Sequence, residues 1–488
     1  MRRAATSVAV LAVALVLAPP ASGQTAAAAK PDRSKPPALG PVRPLKLPPV
    51  RVLHLANGLP VFLVEQHEVP VVQVDAVVRV GAGNDPLDKP GLASLTADML
   101  DEGAGSKSAL EIADEVDYLG AELTSEAGWD ATVAALHVSV RRLERALPIL
   151  ADVLVRPTFP ASEFERVRTD RLTELLQWRD EPRAIASVAF ARALYGGKHR
   201  YGTATLGTEA SVRRFSRNDL TGFHAQAFRP DNAAIVVVGD VTAVSIQPQL
   251  EKAFGGWKAS GNRAAGEVPL APQVPGREIW IVHRPGAAQS EIRIGRIGPP
   301  RSTPDFFSLT VMNTILGGSF TSRLMQNLRE QHGYAYGARS SFDYRLSSGP
   351  FVAAAAVQTD KTAPAVTEFF KELDAIRKTI TDAEVAKAKN YVALSFPSEV
   401  ETTGDIASKL AEQFIYGLSN GWLESYVSRI ADVTPAEVRR VASQYVDPEK
   451  VEVVVVGDRS KIEGELKALN LGPVKTLSVD ELFAAEKK

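Results

Sequence analysis

Cysteine is absent from the 488 residues. That excludes disulfides, thiolate nucleophiles, cysteine-held zinc and a lipid anchor attached at a cysteine. A chain of this length can bury a sufficient core without cross-links, so the absence does not argue against an oxidising compartment. Histidine is scarce: the seven are His54, His67, His137, His199, His224, His283 and His332. No two stand four apart, so no helix presents a pair of imidazole ligands on one face. A dominant charge sign is missing too. The formal net charge is −1, which leaves no long-range field for nucleic acid or an anionic membrane, and there is no basic stripe or RNA-binding motif. The apolar run at residues 8–17 is too short to span a bilayer comfortably.

What is present is ordinary for a globular protein, 45% hydrophobic and 23% charged, with room for two or more domains. Arg2 and Arg3, the apolar run and Ala21-Ser22-Gly23 read as a cleavable export signal over residues 1–23. The mature chain is therefore expected to be periplasmic or secreted, with no membrane span after signal cleavage. Residues 24–50 are Ala-rich and then Pro-rich and read as an extended, solvated leader. A second segment of that character, 258–276, divides the remainder into halves at 51–257 and 277–480.

The halves repeat each other. Phe228-Arg-Pro-Asp-Asn-Ala-Ala-Ile-Val-Val-Val-Gly-Asp240 closes the first, and Val446-Asp-Pro-Glu-Lys-Val-Glu-Val-Val-Val-Val-Gly-Asp458 the second. Ser216 and Thr434 stand at the same distance before these runs, each as a helix N-cap. Further back, Ile185-Ala-Ser187 and Tyr195-Gly196 match Ile406-Ala-Ser408 and Tyr416-Gly417 after one small indel. Residues 61–65, 71–79, 121–125 and 131–138 have strand patterns, and 109–119, 141–153, 161–178 and 185–194 carry apolar residues at helical spacing. Runs of strands followed by runs of helices predict an α+β fold of two homologous domains. Each would be a largely antiparallel sheet with helices packed mainly on one face.

Several motifs together resemble the insulinase/pitrilysin family of inverted zinc metallopeptidases, over nearly the whole mature chain. They are Leu55-Ala-Asn57-Gly58-Leu59-Pro-Val61, Gly91-Leu92-Ala93, and Gly317-Gly318-Ser-Phe-Thr-Ser322-Arg323-Leu324 running through Leu328-Arg329-Glu330 to Gly333-Tyr-Ala-Tyr336. The resemblance implies a helical His-x-x-Glu-His motif after Gly91, two imidazoles on the metal and a glutamate as general base. Here those three positions read Ser94, Ala97 and Asp98. A hydroxyl is a poor zinc ligand, a methyl takes no proton, and one aspartate does not hold a catalytic metal. The family's third ligand is a later glutamate, for which Glu174 is the nearest candidate. It is either a solvated helix carboxylate or, with Asp98, half of a loose site for a hard cation. No metal is expected in this chain.

Other implied features are kept. In the family an Arg and a Tyr, matched here by Arg329 and Tyr336, reach across to the zinc-bearing domain and hold the oxyanion. The local pattern predicts a helix over 320–330, ended by Gly333, and a strand from Ala335. A surface ion pair of Arg329 with Glu330, and sheet packing of Tyr334 or Tyr336, are the plainer alternatives. Glu122, Leu123, Thr124, Ser125 and Glu126 match the strand to which family members add a peptide substrate; an ordinary interior strand is the alternative. The resemblance thus implies a non-catalytic subunit of a heteromeric exported zinc peptidase. A homologous partner would carry the zinc, and the substrate would be an oligopeptide or unfolded segment. A non-enzymatic scaffold or peptide-binding protein of the same fold is the other reading.

Overall fold

The first sheet is built from β1 (Arg51–His54), β2 (Pro60–Glu65), β3 (Val71–Val78), β4 (Glu122–Ala127), β5 (Thr132–Ser139) and β6 (Ala233–Gly239), in the spatial order β1-β2-β6-β3-β5-β4. The second contains β7 (Glu278–His283), β8 (Gln289–Ile297), β9 (Ala335–Phe342), β10 (Pro350–Gln358), β11 (Glu452–Gly457) and β12 (Val474–Ser478), ordered β9-β10-β8-β11-β7-β12. The computed structural model describes residues 47–259 and 268–484, all within one unit, Val42–Lys488. The signal segment, most of the leader and the middle of the linker lie outside the described residues.

Read from the outer strands β4 and β9, the first five strands of each sheet follow the same order, which is the spatial expression of the repeat; the sixth differs, β1 pairing antiparallel with β2 and β12 parallel with β7. Most pairings are antiparallel; β2 runs parallel to β6, and β7 runs parallel to both β11 and β12. The valine runs that flag the repeat are β6 and β11, and every residue in each is buried. Such strands are apolar on both faces because both faces are covered. Gly239 ends β6 at φ 149°, and a Cβ there would lie 2.3 Å from the Val71 carbonyl oxygen, so only glycine fits.

Helices of the first half, α1 (Leu92–Asp98), α2 (Ala109–Leu119), α3 (Leu143–Val155) and α4 (Ala161–Trp178), share one core with Val61, Leu63, Val74, Ala76, Leu136 and Ile235. That arrangement uses one face of the sheet. The opposite face, carrying Val64, Val77, Val236 and Val238, is covered by a helix of the other half, containing Ile406, Ala407 and Leu410. The exchange is reciprocal. Helix α5 (Pro182–Tyr195) leaves the first half and packs Ile185, Ala186, Ala189 and Phe190 on Val282, Val454 and Val456 of the second sheet. In the second half α6 (Phe306–Leu316) and α7 (Thr362–Lys378) cover one face, and α8 (Thr403–Tyr416) is the helix exchanged. The matched Ile-Ala-Ser triplets stand on α5 and α8, so the motif that recurs in sequence is the one that crosses. Two tyrosines finish the crossing. Tyr195 Oη donates to the Ser348 carbonyl at 2.9 Å, and Tyr416 Oη donates to Asp130 at 3.1 Å. Leu47 and Val50, at the end of the leader, pack against the core of the second half.

Candidate functional site

Helix α1 begins at Gly91, whose φ of 92° is open to glycine; a Cβ there would meet the Leu206 carbonyl oxygen at 2.5 Å. Asp85 accepts from Gly91 N and Ala93 N at 2.7 Å each, satisfying donors that the first helical turn leaves free. Arg200 donates to the same carboxylate at 2.8 Å, and both side chains are buried. A buried ion pair thus anchors the start of the helix.

The next turn carries Ser94, Ala97 and Asp98. Ser94 and Asp98 point toward α4, where Arg171 meets both. Its Nη2 donates to Ser94 Oγ at 3.0 Å and to Asp98 Oδ2, its Nη1 donates to the Leu206 carbonyl at 3.2 Å, and its Nε lies 3.4 Å from Glu174 Oε2. The Arg171 side chain is only 3% exposed, whereas Asp98 and Glu174 reach solvent at 39% and 46%. Burial pushes the Asp98 carboxyl above its usual value; the Arg171 guanidinium opposes that shift, and Glu174 and Glu102 add to it. Ala97 faces away and packs with Ala93, Ala127 and Phe223.

The donor set does not fit zinc. It offers a hydroxyl, a methyl and two carboxylates, and both carboxylates already face a guanidinium that occupies the space between them. Among the described residues no group of three or more His, Asp or Glu is placed to hold a metal ion.

Strand β4 is the outer strand of its sheet, which decides between the two readings of residues 122–126 as far as position goes: it is an edge, not an interior strand. Glu122, Thr124 and Glu126 are exposed, while Leu123 and Ser125 are half-buried. Ser125 Oγ donates to the Ala97 carbonyl at 2.7 Å, tying the edge to α1.

Arg329 and Tyr336 are brought together. The helix predicted over 320–330 is shorter, Arg323–Met325, and widens into a π-turn stretch, Gln326–Gln331, that carries Arg329. Such widenings shift a side chain round the helix and are frequent at functional sites. Gly333 has φ 65° and turns the chain into β9. The Arg329 guanidinium lies 4.8 Å from the Phe320 ring centre and 5.2 Å from that of Tyr336, with Nε 3.3 Å from Glu330 Oε1. The surface ion pair is therefore real, and it coexists with the aromatic pair. Tyr336 is 89% exposed, whereas Tyr334 stacks on His332 at 4.9 Å and packs against the core. A register shift between Ala335 and Ala338 separates the two tyrosines' surroundings. Among the described residues no hydrogen bond, ion pair or ring contact joins Arg329 or Tyr336 to Ser94, Asp98, Arg171 or Glu174, so the chain holds two separate groups.

Residues 61–209 match the family described as Insulinase (Peptidase family M16), and residues 214–392 match the Peptidase M16 inactive domain. The chain belongs to the insulinase family. It is similar to an uncharacterized zinc protease of Mycobacterium leprae, 27% identical over 395 residues that cover 80% of this chain and 88% of the relative. It is also similar to a non-peptidase homolog of Helicobacter pylori, 24% identical over 411 residues, 83% of this chain and 93% of the relative. A solved peptidase M16 inactive domain from Pseudomonas fluorescens superposes with a TM-score of 0.78 at 27% identity, covering 84% of this chain and 98% of that one. Within this insulinase fold the present chain is a peptidase homologue whose motif helix lacks the zinc donors.

Sequence reasoning misses Arg171. The available signal is its spacing, one helical turn before Glu174, which puts both on one face of α4. That signal is weak in a helix that also carries Arg166 and Arg168.

Proposed function

We propose that this chain is a non-catalytic subunit of a heteromeric zinc peptidase in an exported compartment. Its partner is a homologous chain that carries the zinc, and the substrate is an oligopeptide or unfolded segment bound in extended form. The observation that carries the reading is the pairing of opposites within one molecule. The motif helix has no zinc donors, while Tyr336 stands 89% exposed beside Arg329 with its hydroxyl free of the core. An exposed phenol next to a guanidinium is a ready pair of donors for a developing oxyanion. Water bound to no metal keeps a pKa of about 16, so hydroxide for the attack must come from the partner's zinc. Strand β4 supports the binding half of the reading, since an edge strand accepts a peptide through backbone hydrogen bonds alone.

The test is co-expression with a zinc-bearing homologue and a peptide-cleavage assay on the purified complex. Arg329→Ala and Tyr336→Phe are each expected to lower kcat by at least about 100-fold with the complex intact. An unchanged kcat in an active complex would end the trans role. A second reading, a scaffold that binds peptide or protein without taking part in catalysis, is favoured by the Arg329–Glu330 pair, which already engages the guanidinium. Under that reading the two variants leave kcat unchanged, and their effect falls on complex assembly.

A further inference from the structure

We propose that the Arg171 guanidinium is a built-in cation that takes the place of the metal, holding the three ligand positions together and barring a divalent ion from them. The three positions that the family resemblance assigns to metal ligands are Ser94, Asp98 and Glu174, on two different helices. One side chain reaches all three: Ser94 Oγ at 3.0 Å, Asp98 Oδ2 in an ion pair, and Glu174 Oε2 at 3.4 Å. A fourth acceptor, the Leu206 carbonyl at 3.2 Å, uses the remaining edge of the guanidinium.

A flat group with five donors is suited to this role. It satisfies acceptors in several directions, keeps its charge at any accessible pH, and is less strongly hydrated than an ammonium. Its burial makes it hard to displace. A dication entering between Asp98 and Glu174 would stand against a fixed positive charge, and pushing Arg171 aside would leave a buried charge without partners. Structurally, the substitution pins the far end of α1 as the Asp85–Arg200 pair pins its start. The short motif helix is thus held at both ends by arginines from elsewhere in the first half. This explains how a seven-residue helix keeps its place with no metal to organise it.

The cation and its acceptors all belong to one chain, so the test uses the purified full-length protein without a partner and reads metal content and melting temperature. Three proteins are compared after dialysis against zinc sulfate and then against metal-free buffer. They are the wild type, the triple variant S94H/A97E/D98H, and that triple variant combined with Arg171→Met. The expected result is zinc well below one per chain in the first two and near one per chain in the third, with affinity at least about tenfold above that of the triple variant. Stoichiometric zinc in the triple variant with Arg171 in place would overturn the proposal, as would equal zinc content in the triple and quadruple variants.

A second measurement does not need the restored ligands. Arg171→Met alone is expected to melt several degrees below the wild type and to recover part of that loss on adding calcium chloride, which bridges the freed Asp98 and Glu174 carboxylates. Wild type is expected to be indifferent to calcium and to chelator. A wild-type melting temperature that falls on chelation would overturn the proposal. So would an Arg171→Met protein as stable as the wild type.

Discussion

In each half a helix lies beside the outer strand of its sheet, and the two helices differ in the charge packed against them. In the first half the helix is α1 beside β4. Ser125 Oγ on the strand donates to the Ala97 carbonyl of α1, while the other side of α1, against α4, meets the buried Arg171 guanidinium, which faces Asp98 and Glu174. In the second half the helix is α6 beside β9, where Asn313 Nδ2 donates to the Ser340 carbonyl at 3.0 Å and Ser340 Oγ donates back to Asn313 Oδ1 at 2.7 Å. The rest of α6 carries no charge and is mostly buried. Both corners leave their polar groups satisfied, but only the first is charged. In both corners the bond between helix and edge strand is neutral, so this architecture needs no ion to fix a helix at the sheet edge. The charge in the first is thus a property of the family's metal position, refilled by a side chain, and not a demand of the fold.

The comparison can be broken most severely at Arg171. Arg171→Ala leaves Asp98 and Glu174 without their cation and removes a buried side chain; because both carboxylates reach solvent, it is expected to cost about 2–4 kcal/mol in denaturant unfolding. Asn313→Ala, the neutral counterpart, is expected to cost about 1–3 kcal/mol. Equal losses would mean that the charged corner is no different in kind.

A pH titration sharpens the comparison on the exchanged faces. Each sheet buries one carboxylate there with a raised pKa. Burial pushes Asp75 on β3 up to about 6, partly offset by a hydrogen bond from Gln73. Burial pushes Glu452 on β11 up to about 7, aided by Glu278 and opposed by a hydrogen bond from Trp280. Both values lie above those of an unfolded chain, so the folded state binds these protons more tightly. Their contribution is fully present below pH 4 and is lost as pH rises through about 6 for Asp75 and about 7 for Glu452. Asp75→Asn and Glu452→Gln should each flatten the stability profile in its own window, each by about 3 kcal/mol between pH 8 and pH 4. Unfolding midpoints measured at several pH values check this. A variant profile parallel to the wild type would refute the assignment for that residue.

The smallest expected difference is at the crossing tyrosines. Tyr416→Phe removes a donor from the buried Asp130 carboxylate and is expected to cost about 1–3 kcal/mol. Tyr195→Phe removes a donor from a backbone carbonyl and should cost about 0.5–1.5 kcal/mol. Thermal melts of the two single variants rank them, and the reverse order would show that Asp130 is held mainly by Leu346 N and Tyr201.

Much of this architecture is legible in the sequence. The alternating pattern at 61–65 lies within β2, and the helical spacing at 161–178 coincides with α4. The repeat appears as one order of five strands written twice. These readings succeed because period and capping are local, and a duplicated run needs no long-range information to be seen. The loss of zinc donors is equally plain, since the identity of Ser94, Ala97 and Asp98 is chemistry carried by single residues. The segment at 320–330 is less regular than its spacing predicts, because nothing in that spacing reveals the widened turn at Arg329.

What the chain determined by itself was therefore its elements, its duplication and the absence of a histidine pair. Three matters were left to tertiary structure: which guanidinium would stand between Ser94, Asp98 and Glu174, which helices would change sides, and whether Tyr334 or Tyr336 would face solvent. Each depends on contacts between segments far apart along the chain, or on a shift in strand register. Pattern and propensity act over a few neighbouring residues, whereas a buried cation is placed by everything that packs around it.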